Sequence, residues 1–168
     1  EITSSTSLSG TSAAQISGIR YGNSTGTVTG SFTISILNNT ITITDNLPNG
    51  SSSVSGVNGI SIADKLATGS LYVNNNIISG LAVTIANSNR QIRGITSSAS
   101  ASNVYINNNT IKGNTTTATD IGGWFIGIDQ TGSVDSTLEI NENNIGDSLT
   151  STPAITFSFL FLFRYNFF

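Results

Sequence analysis

An eight-residue phrase recurs four times along this chain, at intervals of 37, 33 and 34 residues. It reads ISILNNTI at residues 34–41, LYVNNNII at 71–78, VYINNNTI at 104–111 and LEINENNI at 138–145. The first and third places are always apolar, the sixth is Asn (Asn39, Asn76, Asn109, Asn143) and the eighth is Ile. Self-similarity at such a period marks a stacked repeat, in which each unit buries its apolar face only against its neighbours. The repetition constrains the architecture far more tightly than the function.

A second phrase alternates with the first: an apolar residue, a variable one, Gly and another apolar residue. It is read at residues 16–19, 54–57, 92–95 and 125–128, with Gly18, Gly56, Gly94 and Gly127 as its glycines. From each Asn of the first phrase to the next of these glycines the count is 17, 18 and 18 residues, whereas the return from Gly to Asn varies between 15 and 21. One arm of the repeat is therefore expected to be rigid and the other to take up insertions.

A strand that turns a corner explains each place. In Val104, Tyr105 and Ile106 apolar residues alternate with a polar-tipped one, the period of a strand with one buried face. Asn107, Asn108 and Asn109 then break the pattern, because Asn tolerates left-handed backbone angles and hydrogen-bonds its own chain, as a tight bend requires. Ile111 resumes the inward direction on the next side. If the units stack at the usual strand spacing of about 4.8 Å, Asn39, Asn76, Asn109 and Asn143 lie above one another, and their amides donate and accept along the stack. Such an asparagine ladder pairs polar groups that would be costly to bury alone. A glycine inside a strand in turn marks a bend or a close backbone approach.

Composition agrees. Ser, Thr and Asn make up 69 of the 168 residues, and no apolar stripe of helical period runs to a useful length; residues 60–67 (ISIADKLA) come nearest and fit strand followed by loop equally well. Regularly placed Ile supplies the core that disordered polar tracts lack. A net charge of −3 leaves no basic surface for nucleic acid and no polybasic patch for a membrane. The absence of Cys excludes a disulfide scaffold and fits either an exported or a cytosolic protein. Residues 1–154 are thus expected to form one solenoid segment. Starting at Glu1, it is expected to be an excerpt of a longer chain. Residues 155–168 (ITFSFLFLFRYNFF) hold six of the eight Phe and none of the repeat's vocabulary before Asn166. This tail reads as a shifted reading frame, as a capping strand, or as an export signal resembling the last strand of an outer-membrane barrel.

The paired phrases resemble those of right-handed parallel β-helix proteins of the pectin-lyase-like superfamily, and most of all the Asn/Ser/Thr-rich surface solenoids of Bacteroidetes-type bacteria. The resemblance covers roughly residues 16–145. It implies an all-β, right-handed parallel β-helix of about four coils of 33–38 residues, in an extracellular or cell-surface protein. The functions it implies range from polysaccharide lyases and glycoside hydrolases to adhesins and inert stalks, so fold analogy alone decides nothing.

The residues must therefore speak for themselves. Without His or Cys, triad chemistry and the common zinc sets are absent. Lyases of the resembled superfamily hold calcium on acids of neighbouring coils and use Arg or Lys as base, and its hydrolases use close Asp pairs. Here most acids stand alone, and the best candidate catalytic pair is Arg93 with Asp129, offset by about three places on adjacent coils; a solvated surface pair is the bland reading. In the Asp129 column this reading places Arg20, Asn58 and Thr96. Glu142 stands in the corner place of Asn75 and Asn108, which suits an exposed substitution better than a calcium ligand. No cofactor is expected, calcium being the one ion these acids would suit. Tyr72 and Tyr105 share one outward place in consecutive coils, preceded by Ser35 and followed by Glu139. Aligned rings on a flat sheet suit stacking on sugars, and equally suit stacking on each other to stabilise the solenoid. Thr40, Thr42 and Thr44 would suit ice binding, but the run does not recur in the following coils. The expectation is a non-catalytic structural or adhesive, carbohydrate-binding module. The alternative is a fragment of a polysaccharide lyase or glycoside hydrolase whose active site is incomplete here. A polysaccharide or cell-surface glycan is the expected partner, with self-association at exposed coil ends; no nucleic acid and no membrane insertion are expected.

Overall fold

The computed structural model of the chain describes residues 2–6, 15–22, 27–28, 30–45, 56–63, 65–66, 68–83, 91–113, 115–116 and 124–146. The Phe-rich segment 155–168 lies outside them, as do Glu1, Asp64, Asp120 and Asp147. Among the described residues there is no helix, and every strand pair is parallel. A glycine-bearing sheet takes Gln15–Tyr21, Gly56–Ile62, Gln91–Ser97 and Trp124–Gln130 in sequence order. A tyrosine-bearing sheet takes Thr33–Leu37, Ser70–Asn74, Ala101–Asn107 and Val134–Glu139 in the same order.

The third, corner sheet runs Thr40–Asp45, then Ile77–Ser79 with Ala82–Val83, then Thr110–Lys112 with Thr115–Thr116, then Asn144–Ile145. Ile2–Thr6 adds one further rung beside Thr40–Asp45. Thr27–Val28 and Lys65–Leu66 form a small separate pair. Each repeat thus gives one side to each sheet, and its hydrogen-bonded neighbours are the same places in the repeats before and after. That is an all-β arrangement consistent with a parallel β-solenoid.

The alternation read from the first phrase sets the core. Along Thr33–Leu37 exposed and buried residues alternate strictly, with Ile34 and Ile36 inward. Their register partners Leu71, Val73, Val104 and Ile106 are fully buried, as are Ile41, Ile78 and Ile111 at the eighth place. One methylene fewer in such a core is felt, because interiors are close-packed.

One register differs from the sequence reading. The column glycine of the second repeat is Gly59 and not Gly56: Gln15, Gly56 and Gln91 share one place, and Val57 pairs with Ile16 and Ile92. Consequently Ser61, and not Asn58, pairs with Arg20 and Thr96 in the Asp129 column, while Asn58 sits between Ser17 and Arg93. The Asn-to-Gly arm is then 20 residues in its first occurrence, so it too absorbs insertions. The physical reason lies across the interior. A Cβ on Gly59 would sit 2.6 Å from Cγ2 of Ile78, and one on Gly94 2.8 Å from Cδ1 of Ile111. Gly18 faces Ile41 and Gly127 faces Ile145 in the same way. The glycine of the second phrase is the socket for the eighth-place isoleucine of the first. At Gly59 the alternation also changes phase, for Val57, Ile60 and Ile62 are all buried, as a bend in a strand requires. The stretch 60–67 proves to be the end of the strand Gly56–Ile62 followed by the short strand Lys65–Leu66.

Candidate functional site

The corner between the tyrosine and corner sheets is built the same way in every repeat. Asn38, Asn75, Asn108 and Glu142 all have φ between 55° and 59°, the left-handed region that Asn tolerates and Glu does not favour. Glu142 is exposed there, an Asn place held by another residue.

The next residue is the ladder. The amide oxygen of Asn76 accepts from the backbone N–H and the side-chain nitrogen of Asn39, each at 3.0 Å. Asn109 Oδ1 accepts likewise from Asn76 at 3.0 and 2.9 Å, and Asn143 Oδ1 from Asn109 at 2.9 and 2.9 Å. The second amide proton of each later member reaches back to a carbonyl of the preceding repeat: Asn76 to Ile36 at 2.9 Å, Asn109 to Val73 at 2.8 Å and Asn143 to Ile106 at 2.6 Å. The backbone carbonyls of Asn39, Asn76 and Asn109 accept from Ile77, Thr110 and Asn144, each at 2.8 Å. Asn76 and Asn109 are fully buried with every donor used. Burying an amide is tolerable only in this saturated state.

A second, outer ladder escaped the sequence reading. Asn74 Oδ1 accepts from the backbone of Asn107 at 2.9 Å, and Asn107 Oδ1 from that of Asn141 at 2.8 Å. Leu37 fills this fourth place in the first repeat, which hides the column from a search for invariant positions. Asn107 also donates to Glu139 Oε1 at 2.7 Å, so Glu139 is engaged within the surface network.

Tyr72 and Tyr105 are register partners, and their rings stack with centroids 4.8 Å apart at an interplanar angle of 7°. The stack runs along the ladder direction, so each ring covers one face of the other. The remaining face of Tyr72 looks toward the place of Ser35, and that of Tyr105 toward Glu139. Around them the outward columns are Thr33, Ser70, Asn103 and Thr137 on one side and Leu37, Asn74 and Asn107 on the other. Asn103 donates to Ser70 Oγ at 3.2 Å.

Arg93 and Asp129 lie on adjacent strands of the glycine sheet, but Arg93 pairs with Ile126 and Asp129 with Thr96. Their Cα atoms are therefore three places apart in register, about 10 Å along the strand. Among the described residues no three His, Cys, Asp or Glu side chains come together to hold a metal ion, and no helix is long and apolar enough to cross a membrane. No protein-family model, curated protein or solved structure matches the chain.

Proposed function

We propose that this chain is a right-handed parallel β-helix segment of about four coils, of pectin-lyase-like type, working outside the cell as a non-catalytic structural or adhesive module that holds a glycan on its tyrosine sheet. Right-handed winding is supported by the strong preference of crossovers between parallel strands of one sheet. The stalk-like role is supported by how the chain uses its asparagines: those of both ladders are spent on holding one repeat to the next.

The observation that carries the glycan reading is the tyrosine stack and its setting. The uncovered face of Tyr72 stands beside the short, exposed side chain of Ser35, leaving a shelf one strand wide. A sugar ring laid there meets an aromatic wall on its apolar side. Thr33, Ser70 and Asn74 flank the shelf with neutral hydrogen-bonding groups, which suit hydroxyls. Affinity electrophoresis through gels containing soluble polysaccharides tests this with the intact chain. Tyr72→Ala/Tyr105→Ala should abolish retardation. Ser35→Tyr, which adds a third ring to the stack and fills the shelf, should weaken retardation while leaving the fold at least as stable. Equal retardation of all three proteins removes the reading.

A further inference from the structure

The two outer faces of the tyrosine stack differ in charge. Tyr72 looks toward Ser35, short and neutral, whereas Tyr105 looks toward Glu139, its register partner one rung on. Neighbouring rungs are about 4.8 Å apart, so the ring and the acid stand side by side. Glu139 is held in place: Asn107 Nδ2 donates to its Oε1 at 2.7 Å, and among the described residues no donor takes Oε2. Asn107 is itself fixed from both sides, since its N–H donates to Asn74 Oδ1 at 2.9 Å and its Oδ1 accepts from the Asn141 N–H at 2.8 Å. The outer ladder thus anchors the carboxylate, drawing it toward the Asn107 column and away from the centre of the Tyr105 ring.

The whole face carries charge of one sign. Its strands Thr33–Leu37, Ser70–Asn74, Ala101–Asn107 and Val134–Glu139 contain no Lys and no Arg, and their charged residues, Asp135 and Glu139, are both acidic. An acidic polysaccharide would meet only like charge there. A cation within about 6 Å of a ring centroid is attracted by the electron-rich face of the ring. An ammonium donating to a carboxylate makes a charge-assisted hydrogen bond, about twice as strong as a neutral one. Tyr105 and Glu139 offer both attractions to a single group.

We propose that the glycan held on the tyrosine sheet is built from amino sugars whose amines are free, and that a protonated amine rests against the Tyr105 ring and donates to Glu139 Oε2. This rests on the sheet's being a glycan site and adds the class of sugar. Tyr105 supplies the ring face and Glu139 the anion, while Asn107 is a positioning residue that holds the carboxylate through the outer ladder. All these groups lie on the outward face of the third and fourth repeats, so the site needs neither end of the stack.

Isothermal titration calorimetry on the full chain tests this with three soluble oligosaccharides of equal length: a glucosamine oligomer, its fully N-acetylated form and a galacturonic acid oligomer. The buffer is slightly acidic, so that the sugar amine keeps its proton, and holds about 0.1 M salt, which screens exposed charges more than about 10 Å away. The amine oligomer should bind about tenfold or more tighter than the acetylated one, and the galacturonic acid oligomer should bind most weakly. Glu139→Gln keeps an oxygen for Asn107 and removes the charge; it should bring the first two oligomers to within about threefold, which the ring alone supplies. Glu142→Gln removes an equal charge at the exposed corner and should leave the preference as it is. Circular dichroism checks that both variants are folded; should Glu139→Gln unfold, the ranking of the three oligomers by the unaltered chain decides by itself. Equal affinity for the amine and acetylated oligomers, a galacturonic acid oligomer bound as tightly as the amine one, a preference that survives Glu139→Gln, or one lost equally in Glu142→Gln would each overturn the amino-sugar proposal, while continued binding of the acetylated oligomer would leave the glycan reading standing. If none of the three binds, both fall.

Discussion

Replacing Asn109 by Ala removes one side chain from the middle of the inner ladder and should cost far more than any exposed polar residue. Asn109 Oδ1 accepts two hydrogen bonds from Asn76, and Asn109 Nδ2 donates to the Val73 carbonyl and to Asn143 Oδ1. Its loss leaves the buried backbone N–H and one amide proton of Asn76 without an acceptor and takes a donor from Val73. Asn143 Oδ1 keeps the backbone N–H of residue 109. At about 1–3 kcal/mol for each buried group left unsatisfied, the three groups sum to about 3–9 kcal/mol. The matched control is Asn39→Ala at the first described member of the ladder, which is only half-buried and where Asn76 Oδ1 keeps the backbone donor of residue 39. There two part-exposed hydrogen bonds are lost, from Asn39 Nδ2 to Asn76 Oδ1 and to the Leu37 carbonyl, together worth about 1–3 kcal/mol. Urea unfolding followed by circular dichroism measures both, with the midpoint shift read at constant m-value. Equal costs for the two variants, or a cost for Asn109→Ala below about 1 kcal/mol, would show that the ladder is not a saturated buried network.

Other substitutions probe separate features. Glu142→Asn relieves an unfavourable left-handed backbone at an exposed corner and should stabilise the chain by up to about 1 kcal/mol in the same unfolding assay. Gly127→Ala meets only the side chain of Ile145, with Cγ2 at 2.7 Å, whereas a Cβ at Gly94 also meets the backbone carbonyl of Gly127 at 2.6 Å. Both should destabilise by about 1–3 kcal/mol, but a double-mutant cycle should show Ile145→Ala rescuing Gly127→Ala, while Ile111→Ala fails to rescue Gly94→Ala. Asn109→Asp keeps the acceptor but turns the donor toward Val73 and Asn143 into a second acceptor. Burial and that mismatch both favour the protonated acid, raising its folded-state pKa above the usual carboxylate value of about 3.9. A raised folded-state pKa means relative stability that is full at low pH and lost as pH rises through it. This variant's deficit against the unaltered chain should therefore be largest at neutral pH and shrink toward pH 4, as measured by urea midpoints across that range.

The parts of the fold most legible in the sequence are those fixed by single residues at invariant places. Asn39, Asn76, Asn109 and Asn143 could be aligned from the chain alone, because an amide that must both donate and accept along a stack has no substitute at that place. The Tyr72–Tyr105 stack followed from counting in the same frame. The glycine column was legible in three repeats and misread in one. Val54-Ser-Gly-Val and Val57-Asn-Gly-Ile overlap at Val57 and satisfy the same pattern, and the choice between Gly56 and Gly59 is made by Ile78 on the far side of the interior. Spacing held a clue, since Gly59 to Asn76 is 17 residues, close to the 15 and 16 of the next two repeats. The outer ladder was missed because Leu37 occupies its first place. The direction of each ladder lies in which atom of an amide faces which neighbour, and no residue letter records that.

Nuclear Overhauser contacts across the corner test the central claim that the four asparagines stack in vertical register on parallel rungs. Vertical register requires contacts joining Asn39 to Asn76, Asn76 to Asn109 and Asn109 to Asn143, each between residues 33 to 37 apart in sequence, with the amide protons of Asn76 and Asn109 slow to exchange. Close Hα–Hα contacts between strands adjacent in sequence, the signature of antiparallel hairpins, with rapidly exchanging asparagine amides, would contradict it.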